Sequence, residues 1–170
     1  MPYLDTSEIR VYTHNRMARA RAVSERAKAA EIAAACACFN LRKASRAVTQ
    51  LYDDLLRPTG LRITQFTLLT LVSGFGTVSI TRLARAAVMD HTTLLRNLNL
   101  LERQGLVRSR PTRDGRVREV GLTERGRRAL APALPLWAKA QARVAKRLGQ
   151  GRFGRLLRDL SAAVRAAQVG

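Results

Sequence analysis

Apolar residues recur three and four apart over residues 29–56: Ile32, Ala35, Cys36, Phe39, Leu41, Ala44, Val48, Leu51, Tyr52, Leu55 and Leu56. That period predicts one long amphipathic helix, ended by Pro58 and Gly60. A helix of this length needs a partner for its apolar stripe. A second helix is expected from Thr64, as N-cap, to Ser73, with Phe66, Leu68, Leu69, Leu71 and Val72 inward and Gly74 and Gly76 as breakers. After a short extended run over residues 77–80, Ser79 caps a third helix through Ala87. Asp90 caps a fourth, in which Leu94, Leu98 and Leu101 are spaced four and three, and Gly105 provides a left-handed stop. Its remaining positions carry His91, Thr92, Thr93, Arg96 and Asn99, side chains whose hydrogen-bonding groups suit phosphates and base edges.

The period then changes. Residues 106–110 and 117–122 alternate, and Asp114-Gly115 between them is a strong hairpin signal. Arg108, Arg110, Arg113, Arg116, Arg118 and, just beyond, Arg125 lie on this ribbon. A hairpin so small cannot bury a core, and its positive tip suits a minor groove. Thr123 caps a fifth helix to about Leu148, with a kink or break expected at Pro132 and Pro135. A last helix, residues 152–167, gathers Phe153, Leu156, Leu157, Leu160 and Val164 on one face. The fold class implied is mainly α: a winged helix-turn-helix with a two-stranded β wing, plus N- and C-terminal helices forming a dimerisation region. The expected organisation is an N-terminal arm (1–28), a dimerisation helix (29–62), the winged DNA-binding domain (63–126) and C-terminal dimerisation helices (127–170). The arm, with Pro2 and scattered polar residues, is either frayed or laid on a partner subunit or DNA.

Composition changes the picture in one respect. The chain of 170 residues carries 31 Lys+Arg against 12 Asp+Glu, a net +19. The excess is +3 over residues 1–28, +1 over 29–60, +6 over 61–126 and +9 over 127–170. It is therefore not confined to the suspected DNA reader; an arginine-rich composition throughout and a polyanionic partner both account for it. No run of apolar residues is long enough to span a membrane, and residues 1–11 lack a signal-peptide core, so a cytoplasmic protein is expected. Two histidines far apart, His14 and His91, and two cysteines make a zinc site improbable, and no metal or cofactor is expected. On a continuous helix Cys36 and Cys38 point about 200° apart, so they do not easily bridge. No nucleophile with a partner His, no glycine-rich phosphate loop and no paired carboxylates stand out, so an enzyme is not expected.

The segment Asp114-x-Arg116-x-x-x-Val120-x-Leu122-Thr123-x-x-Gly126 resembles the wing signature of the MarR family of bacterial transcriptional regulators. Leu83-Ala84, Asp90-x-Thr92-Thr93-Leu94, Leu98 and Leu101-Glu102-x-x-Gly105-Leu106-Val107 are similar to its helix-turn-helix. The resemblance covers roughly residues 30–165. It implies a homodimer whose first and last helices interlock, with recognition helices in successive major grooves of a palindromic operator in double-stranded DNA. Carried over, His91, Thr92, Thr93 and Arg96 face the major groove, joined by Asn99 from the same polar face. Asp114 braces the wing and holds Arg116 at the minor groove, with Arg113 beside it, and Ser79 and Thr81 touch phosphate. Leu95 stands where relatives often have a polar residue, and either meets a thymine methyl or packs.

Two signals are compatible with the resemblance. Relatives bind phenolic or aromatic acids between the dimer region and the winged domain; Phe39, Arg46, Tyr52, Phe66 and Trp137 are the candidates to line such an effector pocket, Trp137 being more often a core residue. The run Cys38-Phe39-x-Leu41-x-x-Ala44-Ser45-Arg46 is similar to the first helix of the organic-hydroperoxide regulators, where the Cys senses peroxide. Tyr52 matches one tyrosine that hydrogen-bonds that thiolate; Ile63 stands at the other. An oxidant would convert Cys38 to a sulfenic acid that condenses with a thiol, Cys36 or the Cys38 of another subunit. A repressor released by an aromatic or phenolic effector is the leading expectation, a thiol-based regulator using Cys38 the alternative, and a non-specific basic DNA-binding protein the third.

Overall fold

The computed structural model describes residues 24–112 and 118–168. The chain divides into two units, residues 1–48 and 49–170, with the boundary inside a helix. In the first unit residues 24–35 are helical (α1), and α2 (Ala37–Leu56) begins there and crosses the boundary. The single helix expected over residues 29–56 is thus interrupted at Cys36. The cause is local hydrogen bonding, which competes with the helical ladder. The Phe39 amide donates to Cys36 Sγ at 3.4 Å, as to an N-cap side chain. The Asn40 side-chain amide donates to the carbonyls of Ala33, Ala34 and Cys36 at 3.2, 3.0 and 2.9 Å. Ile32, Phe39, Leu41 and Val48 are exposed.

The second unit continues from α2 through a 3₁₀ turn, Arg57–Thr59, closed by Gly60 at φ 73°. It then runs α3 (Ile63–Phe75), β1 (Thr77–Ser79), α4 (Ile80–Ala87), α5 (His91–Arg103), β2 (Val107–Pro111), β3 (Arg118–Leu122), α6 (Glu124–Leu148) and α7 (Gln150–Gln168). Four expectations need correction. Helix α3 starts at Ile63 rather than at a Thr64 cap, because Asp53 Oδ1, ten residues upstream, accepts the Ile63 amide at 2.7 Å and Gln65 Oε1 accepts the Arg62 amide at 2.9 Å. It also runs through Gly74 to Phe75. The sheet has three strands in the order β1-β3-β2, all antiparallel, because residues 77–79 join the ribbon as an edge strand. Helix α6 continues through Pro132 and Pro135 without a break. Both prolines are exposed, as are Arg128 and Ala131, whose carbonyls lose their intrahelical donors, so water can satisfy them.

Val78, Val107 and Val120 turn inward from the sheet and meet Leu56, Phe66, Leu69 and Val72 below and Leu83, Leu94, Leu98 and Leu101 from the two short helices. Each leucine so buried contributes about 1.5–3 kcal/mol. This core fixes α4 and α5 against the sheet. Helix α7 has no buried residue, and its Leu156, Leu157, Leu160 and Val164 are exposed. Among the described residues no helix is long and apolar enough to cross a membrane, and no group of three or more His, Cys, Asp or Glu is placed to hold a metal ion.

Candidate nucleic-acid interface

Two capped helices in succession create the surface. Ser79 Oγ accepts the Arg82 amide at 3.3 Å and starts α4; Asp90 Oδ1 accepts the Thr93 amide at 2.9 Å and starts α5. Hydrogen bonds from Thr93, side chain first and then backbone, hold the Asp90 carboxyl below the ordinary carboxylate value. The turn between them places Val88 in the left-handed region at φ 51°, strained for a β-branched residue.

On α5 Leu94, Leu98 and Leu101 are all at most 1% exposed. His91, Thr92, Thr93, Arg96 and Asn99 are exposed. Thr92, Arg96 and Asn99, spaced four and three, form one polar stripe opposite the leucines. Arg103, four residues beyond Asn99 and exposed, extends it. Sequence reading passed over Arg103, although that spacing marks it. Asn97 points elsewhere, its side-chain amide donating to the Thr93 carbonyl at 2.9 Å. Leu95 is half-buried and packs on the core, which resolves its two readings towards packing. Thr81 and His91 are brought together: with Arg85, Val88, Met89 and Gln168 they line an open cleft of about 610 Å³ beside the start of α5.

The wing is fastened to this helix at its base. Glu102 on α5 accepts the Ser109 amide at 2.9 Å and the Ser109 hydroxyl at 3.3 Å. Thr123 Oγ1 donates to the Gly105 carbonyl at 2.6 Å and accepts the Gly126 amide at 3.0 Å. Gly126 is required by close approach: a Cβ there would lie 2.0 Å from the Leu106 carbonyl oxygen. The Leu122-Thr123-x-x-Gly126 motif is therefore the joint between recognition helix, ribbon and α6. Glu102 stood in the helix-turn-helix motif without a role of its own, because that role depends on a partner seven residues away across a turn. Arg108, Arg110 and Arg127 line a groove of about 610 Å³ beside the sheet, together with Glu119 and Glu124. Arg113, Asp114 and Arg116 lie outside the described residues.

The effector candidates separate into two groups. Phe66 and Trp137 stack with centroids 6.2 Å apart and planes 20° apart. The Tyr52 hydroxyl donates to Gln141 Oε1, one turn along α6 from Trp137, and burial raises the Tyr52 pKa. Phe66 and Tyr52 are buried and Trp137 is half-buried. Phe39 and Arg46 belong to the first unit and are exposed. Both cysteines are free thiols, Cys36 half-buried and Cys38 exposed. The continuous helix assumed to hold them on opposite sides is broken between them and α1.

A MarR family model matches residues 59–116, from the turn before α3 to the wing. The M. tuberculosis transcriptional regulator MosR in complex with DNA is 39% identical, with a TM-score of 0.70 over 79% of this chain and 99% of that chain. The chain belongs to the MarR family. A second crystal structure of M. tuberculosis MosR aligns at 37% identity and a TM-score of 0.69, over 80% of this chain and 98% of that one. A cysteine-to-serine mutant of E. coli MarR complexed with operator DNA shares the fold, with a TM-score of 0.70 at 19% identity over 78% of this chain and 96% of that chain. No curated protein sequence matched. In this MarR-family chain α4 and α5 are the helix-turn-helix and β2–β3 the wing, with β1 as the third strand.

Proposed function

We propose that this MarR-family regulator is a sequence-specific repressor that binds a palindromic operator as a homodimer in the cytoplasm and has no catalytic activity. The observation that carries the reading is α5: a capped helix whose Leu94, Leu98 and Leu101 are buried while Thr92, Arg96, Asn99 and Arg103 stand in solvent with no acid among them. His91 and Thr93 lie on the same helix beside that stripe, Thr81 shares a cleft with His91, Ser79 is the cap of α4, and Arg113, Asp114 and Arg116 are assigned to the wing tip by their motif. The DNA-bound relatives support a nucleic-acid partner, and the exposed apolar faces of α2 and α7 support pairing of two chains. A gel shift at physiological salt, comparing DNA upstream of the chain's own gene with a scrambled duplex, tests it. Selective binding of the upstream DNA is expected; equal affinity for both would leave only a non-specific basic protein.

Release by an aromatic or phenolic acid is supported by the stacked Phe66–Trp137 pair and the anchored Tyr52, with Phe39 and Arg46 as the remaining candidates. A second reading, release by thiol oxidation, is favoured by the exposed Cys38 beside the helix interruption at Cys36, where the Cys36 sulfur is already a hydrogen-bond acceptor. Hydroperoxide should then free DNA from the wild type and not from Cys38→Ser. Release from both excludes the thiol route, and a catalytic turnover of peroxide would replace the regulator with an enzyme.

A further inference from the structure

The DNA reader does not hold the largest share of the charge. Residues 127–168 carry ten Lys and Arg and one acid, Asp159. Residues 29–60 of the same chain carry four against three, so a general taste for arginine does not explain the imbalance. On α6, Lys139, Arg143, Lys146 and Arg147 fall at i, i+4, i+7 and i+8, which is one stripe. All four are exposed, and among the described residues none has a carboxylate within ion-pair distance. Arg155 and Arg158 repeat the pattern on α7, also exposed and unpaired among those residues. Leu134 and Leu148, the exposed leucines of α6, stand five residues from Lys139 and Arg143, about 140° round the helix. Covering the leucines by another chain would therefore leave the cations open.

Position separates this stripe from the reader. Helix α6 is anchored beside the wing by Thr123 and is 25 residues long, about 37 Å at about 1.5 Å per residue. Lys139 is some 15 residues along it, about 22 Å from that anchor. Under the proposal below, phosphates met at Lys139 and beyond belong to DNA other than the base pairs under α5. Like charges this close repel one another unless a polyanion neutralises them, and successive helical turns match the regular spacing of backbone phosphates.

We propose that the α6–α7 stripe is a second, sequence-independent contact for duplex DNA, so that a protein seated on its operator also holds another DNA segment. This rests on the DNA-binding reading above. The test immobilises an operator duplex on beads, saturates it with full-length protein and measures retention of a fluorescent duplex lacking the operator. The wild type should retain the second duplex, and retention should fall steeply with salt. The combined variant Lys139→Gln, Arg143→Gln, Lys146→Gln, Arg147→Gln keeps helix propensity and should bind a short operator within about two-fold of wild type, yet lose about ten-fold or more of the retention. Arg155→Gln with Arg158→Gln should lower it less, and Lys139→Arg with Lys146→Arg should preserve it. Absence of retention by the wild type, or unchanged retention by the quadruple variant, overturns the proposal. So does capture of phosphatidylglycerol vesicles by the operator-bound wild type in place of DNA, which would assign the stripe to a membrane surface. Failure to bind the short operator at all would instead remove the regulator reading, a separate outcome.

Discussion

Helices α5 and α7 are built alike in sequence and used differently. Each has leucines at three and four and basic residues on the other face. In α5 Leu94, Leu98 and Leu101 are inside and Leu95 is half-buried, so apart from Leu100 what remains in solvent is a set of hydrogen-bonding side chains. In α7 none is inside, so what remains is an apolar face of Leu156, Leu157, Leu160 and Val164 beside a row of arginines. A finished core facing solvent with polar groups is suited to nucleic acid; an unfinished one is suited to another protein surface. The contrast supports the proposed roles, reading for α5 and pairing for α7.

The largest effect that would sharpen this contrast is on stability. Leu98→Ala should cost about 2–5 kcal/mol, seen as a fall in the urea midpoint that does not vary with protein concentration. Next, Leu157→Glu with Leu160→Glu should leave the helical circular-dichroism spectrum intact and halve the mass measured by light scattering, while operator affinity falls at least about ten-fold because two half-sites are no longer linked. A dimer of unchanged mass would take pairing away from α7. A smaller change is expected from Arg103→Ala, which should lower the slope of log K against log salt by about one if that side chain meets a phosphate. An unchanged slope would end the polar stripe at Asn99.

The smallest effect concerns pH. The folded Asp90 carboxyl titrates below its ordinary value of 3.8, so its cap stabilises the start of α5 above the unfolded value and loses that contribution as pH falls through the lower folded one. Urea midpoints across that acid window should fall less steeply for Asp90→Asn than for wild type; parallel curves would remove the cap from the account.

How much of this was readable without coordinates depended on how local the cause was. The α5 face followed from an Asp90 cap and three leucines, each about one turn from the next. The joint at Thr123 and Gly126 was visible as a motif, though its reason, a carbonyl 2.0 Å from the missing Cβ, was not. The start of α3 escaped because its cap, Asp53, comes from another helix. The interruption at Cys36 escaped because no glycine or proline marks it; a sulfur and the Asn40 amide divert the backbone instead. The prolines of α6 misled because their cost depends on whether the freed carbonyls face water. The effector and redox candidates were named by resemblance, and the core takes up Phe66 and Tyr52 while leaving Cys38 open.

The central claim, that α5 reads sequence, is tested most directly by the ratio of operator to scrambled-duplex dissociation constants, measured at one salt concentration for wild type and for Arg96→Ala. A base-reading Arg96 is worth about 1–3 kcal/mol of discrimination, so the ratio should drop about five- to a hundred-fold while scrambled binding changes little. A ratio unchanged by the substitution, with both affinities lowered alike, would make Arg96 a phosphate contact and contradict the account.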